Sequence, residues 1–222
     1  MTADIMRQIL DGRNEPPVYL FKSREDAAQK LVIFQQSYGL PFDVLVFIPM
    51  GGVPLKDAFL SSYSILDVHV FPVVKIPSTV DKRFGIGALD IWGNASLNKL
   101  VIDAFGESEV NIEANIGKAL EKHRAIIQRF GFDVPTSQTF SDKNVLIVDD
   151  GLSSGLTVEA ALNSIYKISV PKSVNCLIPI VYSAGIRRIR SKFANVNIHS
   201  LYVDNEPVFL VDDFYQDFSE VR

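Results

Sequence analysis

Residues 145–148 (VLIV) form an unbroken apolar run, which predicts a strand buried on both faces. Two carboxylates follow, Asp149 and Asp150, and then a loop of small residues from 151 to 155. Apolar positions resume at Val158, Ala161, Leu162 and Ile165, the i, i+3, i+4, i+7 stripe of an amphipathic helix. The same order of strand, turn and helix recurs earlier. Residues 42–48 (FDVLVFI) predict a second buried strand, Pro49-Met50-Gly51-Gly52 a turn, and Pro54 falls in the first turn of the helix beyond, where proline is tolerated.

The rest of the chain continues the alternation. A short strand is expected at 18–21, then a helix from the N-cap Ser23 to about residue 37, with Ala27, Leu31 and Phe34 on one face. Residues 68–76 (VHVFPVVKI) predict a third strand, with Pro72 marking an edge position or a bulge. Further strands are expected at 85–92, 173–181 and 196–202. The longest helical pattern is 107–130, acidic early and basic late, with Val110, Ile116, Leu120, Ile127 and Phe130 roughly tracing its face. A basic helix is expected at 185–193. The pattern as a whole predicts an α/β protein.

Composition narrows the picture. The chain of 222 residues fits a single domain, 47% hydrophobic and 22% charged, an ordinary globular balance. One cysteine, Cys176, lies in an apolar run, which excludes an internal disulfide framework and suits a reducing compartment. The first ten residues lack a signal-peptide core and no long apolar span is present, so a cytoplasmic location and no membrane partner are expected. The net charge of −4 argues against a nucleic-acid partner. Arg187, Arg188, Arg190 and Lys192 are accordingly read as a turn of solvated helix rather than a nucleic-acid patch. His69, His123 and His199 show no metal-ligand spacing.

The 145–161 stretch carries the chemistry. A loop between strand and helix sits where open α/β sheets bind ligands. The first amides of the helix have no internal partner and favour an anion, typically phosphate. Ser153, Ser154 and Thr157 add hydroxyls. A bare phosphate beside two carboxylates would be repelled. The acids suit either sugar hydroxyls or a divalent metal, so the implied ligand is a sugar phosphate. No Walker A lysine is present, since Gly155 is followed by Leu156 and Thr157, and no G-x-G-x-x-G occurs here.

The stretch VLIVDDGLSSGLT resembles the phosphoribosyl pyrophosphate (PRPP) signature of type I phosphoribosyltransferases. A stretch of the form K…IGA and an E-P…F…DFS tail are most similar to a little-characterised subgroup of that family. The resemblance implies one domain over residues 1–222: a mostly parallel twisted sheet flanked by helices, with a small hood built from the N-terminal residues, residues 204–222, or both. It implies transfer of 5-phosphoribose from PRPP to a nitrogenous base or similar acceptor, with release of pyrophosphate and with Mg²⁺ entering with PRPP rather than in a protein cage. Asp149 and Asp150 would face the ribose and the metal. Gly151, Leu152, Ser153, Ser154, Gly155, Leu156 and Thr157 would hold the 5′-phosphate. Met50, Gly51, Gly52 and Lys75 would meet the pyrophosphate, although a plain turn and a solvated lysine are open readings there. Lys82 and Arg83 would lie on a mobile lid, and Phe209, Phe214 and Tyr215 would stack on the base or simply pack the last strand. A homodimer is expected. Two departures matter: Met50 stands where many relatives carry a basic residue, and Ser153 where 6-oxopurine enzymes often carry an aspartate. A PRPP- or nucleotide-sensing protein without catalysis is the alternative.

Overall fold

The computed structural model describes residues 19–64, 67–82, 84–205 and 209–219. In chain order its elements are α1 (Arg24–Tyr38), β1 (Val44–Phe47), α2 (Val53–Ser62), β2 (Asp67–Val70), β3 (Val74–Pro77), β4 (Gly85–Leu89), β5 (Ala95–Leu97), α3 (Lys99–Phe105) and α4 (Glu109–Phe130). There follow α5 (Ser137–Phe140), β6 (Asn144–Val148), α6 (Leu156–Ile168), β7 (Ser173–Leu177), β8 (Ile180–Tyr182), α7 (Ser183–Lys192), β9 (Val196–His199), β10 (Tyr202–Asp204) and a 3₁₀ turn, Val211–Phe214.

Five strands form a wholly parallel sheet in the order β2-β1-β6-β7-β9. The two apolar runs pair with each other at its centre, Val44 opposite Val145 and Phe47 opposite Val148. Central parallel strands are covered on both faces, which is why they read as continuous hydrophobic runs. Alternate residues serve the two faces. Val44, Val46, Val145 and Ile147 pack toward Val158, Ala161, Leu162 and Ile165 of α6. Leu45, Phe47, Leu146 and Val148 pack toward Leu31 of α1 and Leu55 and Phe59 of α2.

Three predicted strands are each two. Residues 68–76 divide at Phe71-Pro72-Val73 into β2, on the edge of the parallel sheet, and β3, which begins a separate antiparallel sheet β3-β4-β5. Proline has no amide to give a ladder, so the chain changes sheets there. Residues 173–181 break at Pro179, whose carbonyl accepts from the amides of Leu201 and Tyr202, and residues 196–202 break at Ser200. The second halves, β8 and β10, pair as a small parallel ribbon. The expected strand at 18–21 is a single bridge from Phe21 to Tyr215, Val18 lying outside the described residues.

The α4 helix is capped by the Ser108 hydroxyl, which accepts from the amide of Asn111 at 3.2 Å. Its fully buried residues are Asn115, Ala119, His123 and Ile126; Ile116, Leu120 and Phe130 of the expected face pack beside them, and Val110 is exposed. This face packs on β3 and β4 through Val74, Ile76, Ile86 and Leu89, so α4 belongs to the antiparallel sheet's core, with Phe130 at its end also reaching Phe47 of the main one. A last cluster joins Phe21 and Ala27 to Ile180, Phe209 and Tyr215. It seats the C-terminal segment beside the carboxyl ends of β1 and β6. Among the described residues no helix is long and apolar enough to cross a membrane.

Candidate functional site

The carboxyl ends of β1 and β6, the start of α6, β3, α4 and the C-terminal segment enclose a cavity of about 450 Å³. Asp149, Asp150, Gly151, Ser153, Ser154, Gly155, Leu156 and Thr157 line it from one side. Met50, Gly51 and Lys75 line it from another. Twelve residues singled out in the sequence thus meet at one cavity: these eleven and Phe209.

The loop after β6 is pinned at one point. Leu152 is buried; its amide donates to the Ile180 carbonyl at 2.9 Å and its carbonyl accepts from the Tyr182 amide at 2.7 Å. Its amide is therefore spent on β8, and Leu152 drops out of the phosphate-binding set. Anchoring it holds the next three residues against the cavity. Gly155, at φ 78°, adopts a left-handed turn that disfavours any side chain, and α6 starts directly after it. No side chain caps that helix start, so its first amides point to the cavity end of the loop.

The acids differ sharply. Asp149 is buried, and its Oδ1 accepts from the Asp150 amide at 2.9 Å. Burial pushes its carboxyl well above the ordinary value, and the neighbouring Asp150 charge pushes it the same way. Asp150 instead accepts from Arg24 Nε at 2.6 Å. Its carboxylate lies across the backbone of Gly51, where an added Cβ would stand 2.2 Å from Cγ. The pairing of acid and glycine turn, separate in the sequence, is thus a direct contact.

Arg24 is a residue that sequence reasoning missed. Besides Asp150, its Nη1 donates to the Ser219 carbonyl at 2.7 Å and its guanidinium stacks 3.5 Å over the Phe218 ring. It ties α1, the acid pair and the C-terminal segment together across 126 and 195 residues of chain, a relation without any local signal. Lys122 of α4 was missed too; it lines the same cavity as Lys75. Crowding by neighbouring atoms lowers the Lys75 pKa and the Lys122 charge adds to this, while Asp212, Asp81 and Asp150 act the other way.

Other expected residues fall elsewhere. Gly52 sits behind the turn, its amide donating to Ile48 at 2.8 Å, and is not part of the cavity wall. The Pro49–Met50 peptide is cis. Tyr215 is buried, and its hydroxyl donates to the Asp150 carbonyl at 2.6 Å, so its ring is packed on Phe21 and not presented to the cavity. Phe214 packs on Phe209 and Tyr202 outside the cavity lining. The aromatic pair that does line it is Phe209 and Phe218. Lys82 is exposed and away from the cavity; Arg83 lies outside the described residues. The loop carrying Lys82 is fastened by Glu107, which accepts from the Ser78 hydroxyl and the Thr79 amide, each at 2.5 Å. In the basic helix, Arg188 and Lys192 are committed to Glu159 of α6.

No family model matches the chain. Over 85 residues it is 34% identical to the bifunctional protein PyrR of Ligilactobacillus salivarius (strain UCC118). That alignment covers 37% of this chain and 43% of PyrR, so the chain spans less than half of that relative's length. Among solved structures, TT1426 from Thermus thermophilus superposes with a TM-score of 0.62 at 22% identity, over 91% of this chain and 93% of the other. AQ2163 from Aquifex aeolicus superposes at 0.51 with 17% identity, over 96% and 84%. The fold is thus the mostly parallel α/β sheet flanked by helices that TT1426 shares.

Proposed function

We propose that the cavity binds PRPP and transfers its 5-phosphoribosyl group to a nitrogenous base or similar nitrogen acceptor, releasing pyrophosphate. One observation carries this reading: the acid pair and the small-residue turn, products of one strand–loop–helix unit, open on the same cavity as the Gly51 turn. A phosphorylated pentose carrying a second anionic group has the polarity such a cavity asks for.

The turn from Ser153 to Thr157 holds the 5′-phosphate through the amides at the start of α6 and three hydroxyls. Asp149 and Asp150 face the ribose diol. Among the described residues there is no group of three or more His, Cys, Asp or Glu that could hold a metal by itself. The two carboxylates fit a hard cation that arrives with its phosphate ligand, as Mg²⁺ does. Asp149 and Asp150 would hold it, and it would supply neutralisation of the departing pyrophosphate. As the bond from the anomeric carbon to pyrophosphate breaks, positive charge grows on the sugar. The carboxylate of Asp150 stabilises that charge, and the fixed turns keep the acceptor nitrogen aligned behind the carbon. Phe209, itself buried, and Phe218, covered on one face by Arg24, give an acceptor an apolar border rather than a free stacking face.

A second reading keeps the binding and drops the chemistry. Met50 places an uncharged side chain in the turn, and Arg24 already occupies Asp150, which favours a PRPP- or nucleotide-sensing protein. A panel of bases incubated with PRPP and Mg²⁺, followed by pyrophosphate release, separates the two. Turnover with any base establishes the transferase. Tight PRPP binding without turnover across the panel establishes a PRPP sensor, and absence of PRPP binding overturns both the transferase and the PRPP sensor.

A further inference from the structure

The acids Asp149 and Asp150 give the cavity a negative wall, and Asp212 adds a third carboxylate. A pyrophosphate group brings several more negative charges, so its binding depends on cations placed nearby. The 49–52 turn has none of its own. Among the described residues, the cationic side chains lining the cavity are Arg24, Lys75 and Lys122. Arg24 is engaged by Asp150 at 2.6 Å. Lys75 and Lys122 come from different elements, line the same cavity and stand closely enough for their charges to oppose. Two like charges converging on a cavity are stabilised by an anion between them.

The same helix delivers one more cation. Arg129 lies seven residues beyond Lys122 on α4, two turns along and hence on nearly the same face. Its Nη1 is 3.9 Å from Sδ of Met50, reached from the side of the neighbouring cavity between α1 and α2. Ala119 and Ile126, three residues before and four after Lys122, are buried with His123 on the adjoining face of α4, which fixes the rotation of the helix and therefore where both cations point.

We infer that α4 is the pyrophosphate-binding element of this chain: Lys122 and Arg129 supply, from a distant helix, the positive charge that the Met50-Gly51-Gly52 turn lacks, with Lys75 completing the set. This inference rests on the PRPP reading of the cavity, and its test is chosen to fail separately. Calorimetry of the wild type and of K122Q/R129Q, each with Mg²⁺, compares PRPP with ribose 5-phosphate, which lacks the pyrophosphate. Both residues are exposed, so the variant is expected to fold, with an unchanged Tm as the control.

The expected result is a loss of PRPP affinity of about tenfold or more, as for removal of charge-assisted hydrogen bonds. Ribose 5-phosphate affinity stays within about twofold, the range of an exposed charge change, and K122R/R129K restores PRPP binding. Unchanged PRPP affinity in the variant overturns the inference, and so does an equal loss for both ligands. A wild type that binds neither ligand overturns the PRPP reading and takes this inference with it. A wild type that binds both, beside an unaffected variant, overturns this inference alone.

Discussion

Two strand–turn–helix units stand side by side at the centre of the molecule, β1 to α2 and β6 to α6. They share a buried strand, register against each other residue for residue, and end in glycine turns on one cavity. They differ in where their polar chemistry comes from. The β6 unit carries its own: two acids, two serines and a threonine within nine residues of sequence, followed by an uncapped helix start. The β1 unit carries almost none. Its turn is Pro49-Met50-Gly51-Gly52, and the charges that line the cavity beside it come from elsewhere, among them Arg24 from α1, Lys75 from β3, Lys122 from α4 and Asp150 from the other unit, with Arg129 of α4 against Met50. One half of the site is written locally, and the other is assembled by the fold.

The comparison breaks most directly at the self-sufficient unit. Replacing both acids, Asp149→Asn with Asp150→Asn, removes the groups assigned to ribose and metal while leaving the turn intact. PRPP affinity in the presence of Mg²⁺ should fall well over tenfold, roughly the loss of two charged hydrogen-bonding groups. Calorimetry showing unchanged affinity would remove the ribose assignment and with it the claim that this unit holds its ligand by itself.

Arg24→Ala tests the borrowed half. The guanidinium is only slightly exposed, pairs with Asp150, holds the Ser219 carbonyl and lies flat on Phe218. Losing it leaves a half-buried carboxylate without its cation and unfastens the C-terminal segment. A destabilisation of about 2 kcal/mol is expected from charged hydrogen bonds of this kind, with a Tm lower by about 2–4 °C per kcal/mol in a chain of this length. Denaturation at an unchanged midpoint would show that the tie is incidental to the fold.

This division explains what could be read from the chain. The 145–161 stretch was legible because strand, acids, turn and helix stripe are contiguous and each has a local physical signature. The sheet was legible for the same reason, since strands buried on both faces show as apolar runs. Arg24, Lys122 and Arg129 were not legible: each is an ordinary surface-type residue on a helix until tertiary packing aims it. The split of residues 68–76 was hinted at by Pro72, but only the three-dimensional path shows that the two halves join different sheets. The hood aromatics stayed open between stacking and packing for a related reason. Composition says that Tyr215 is flat and apolar, not that Phe21 and the Asp150 carbonyl already use its ring and hydroxyl.

A smaller change sharpens the contact between the two units. Gly51→Ala would place a Cβ 2.2–2.4 Å from the three carboxyl atoms of Asp150, too close for that side chain to stay where it is. Asp150 must swing away, which disturbs both its pairing with Arg24 and its orientation to the cavity. A fall in PRPP affinity of about tenfold is expected, the cost of misplacing one charged hydrogen-bonding group. Affinity equal to wild type would mean that Asp150 can be relocated freely, and the two turns would then be neighbours without being coupled.

The mildest test opposes stability to binding at the single residue Asp149. Burial and the Asp150 charge raise its carboxyl well above the ordinary value of 3.8. In the folded chain the proton is therefore held more tightly than in the unfolded chain. Below pH 3.8 both states are protonated and the group costs nothing. As pH rises from there through the raised folded value, the unfolded state ionises first, and stability is progressively lost. Asp149→Asn cannot ionise, yet its side-chain oxygen can still accept from the Asp150 amide. The variant should melt above the wild type at pH 8, by a few degrees if the cost is about 1 kcal/mol, and the gap should close as the pH is lowered toward the acid range. A gap that is constant with pH, or that widens in acid, would place the charged form of Asp149 at ease in the ligand-free protein. It would then no longer follow that this acid is held in readiness for a cation or a sugar that the rest of the chain does not provide.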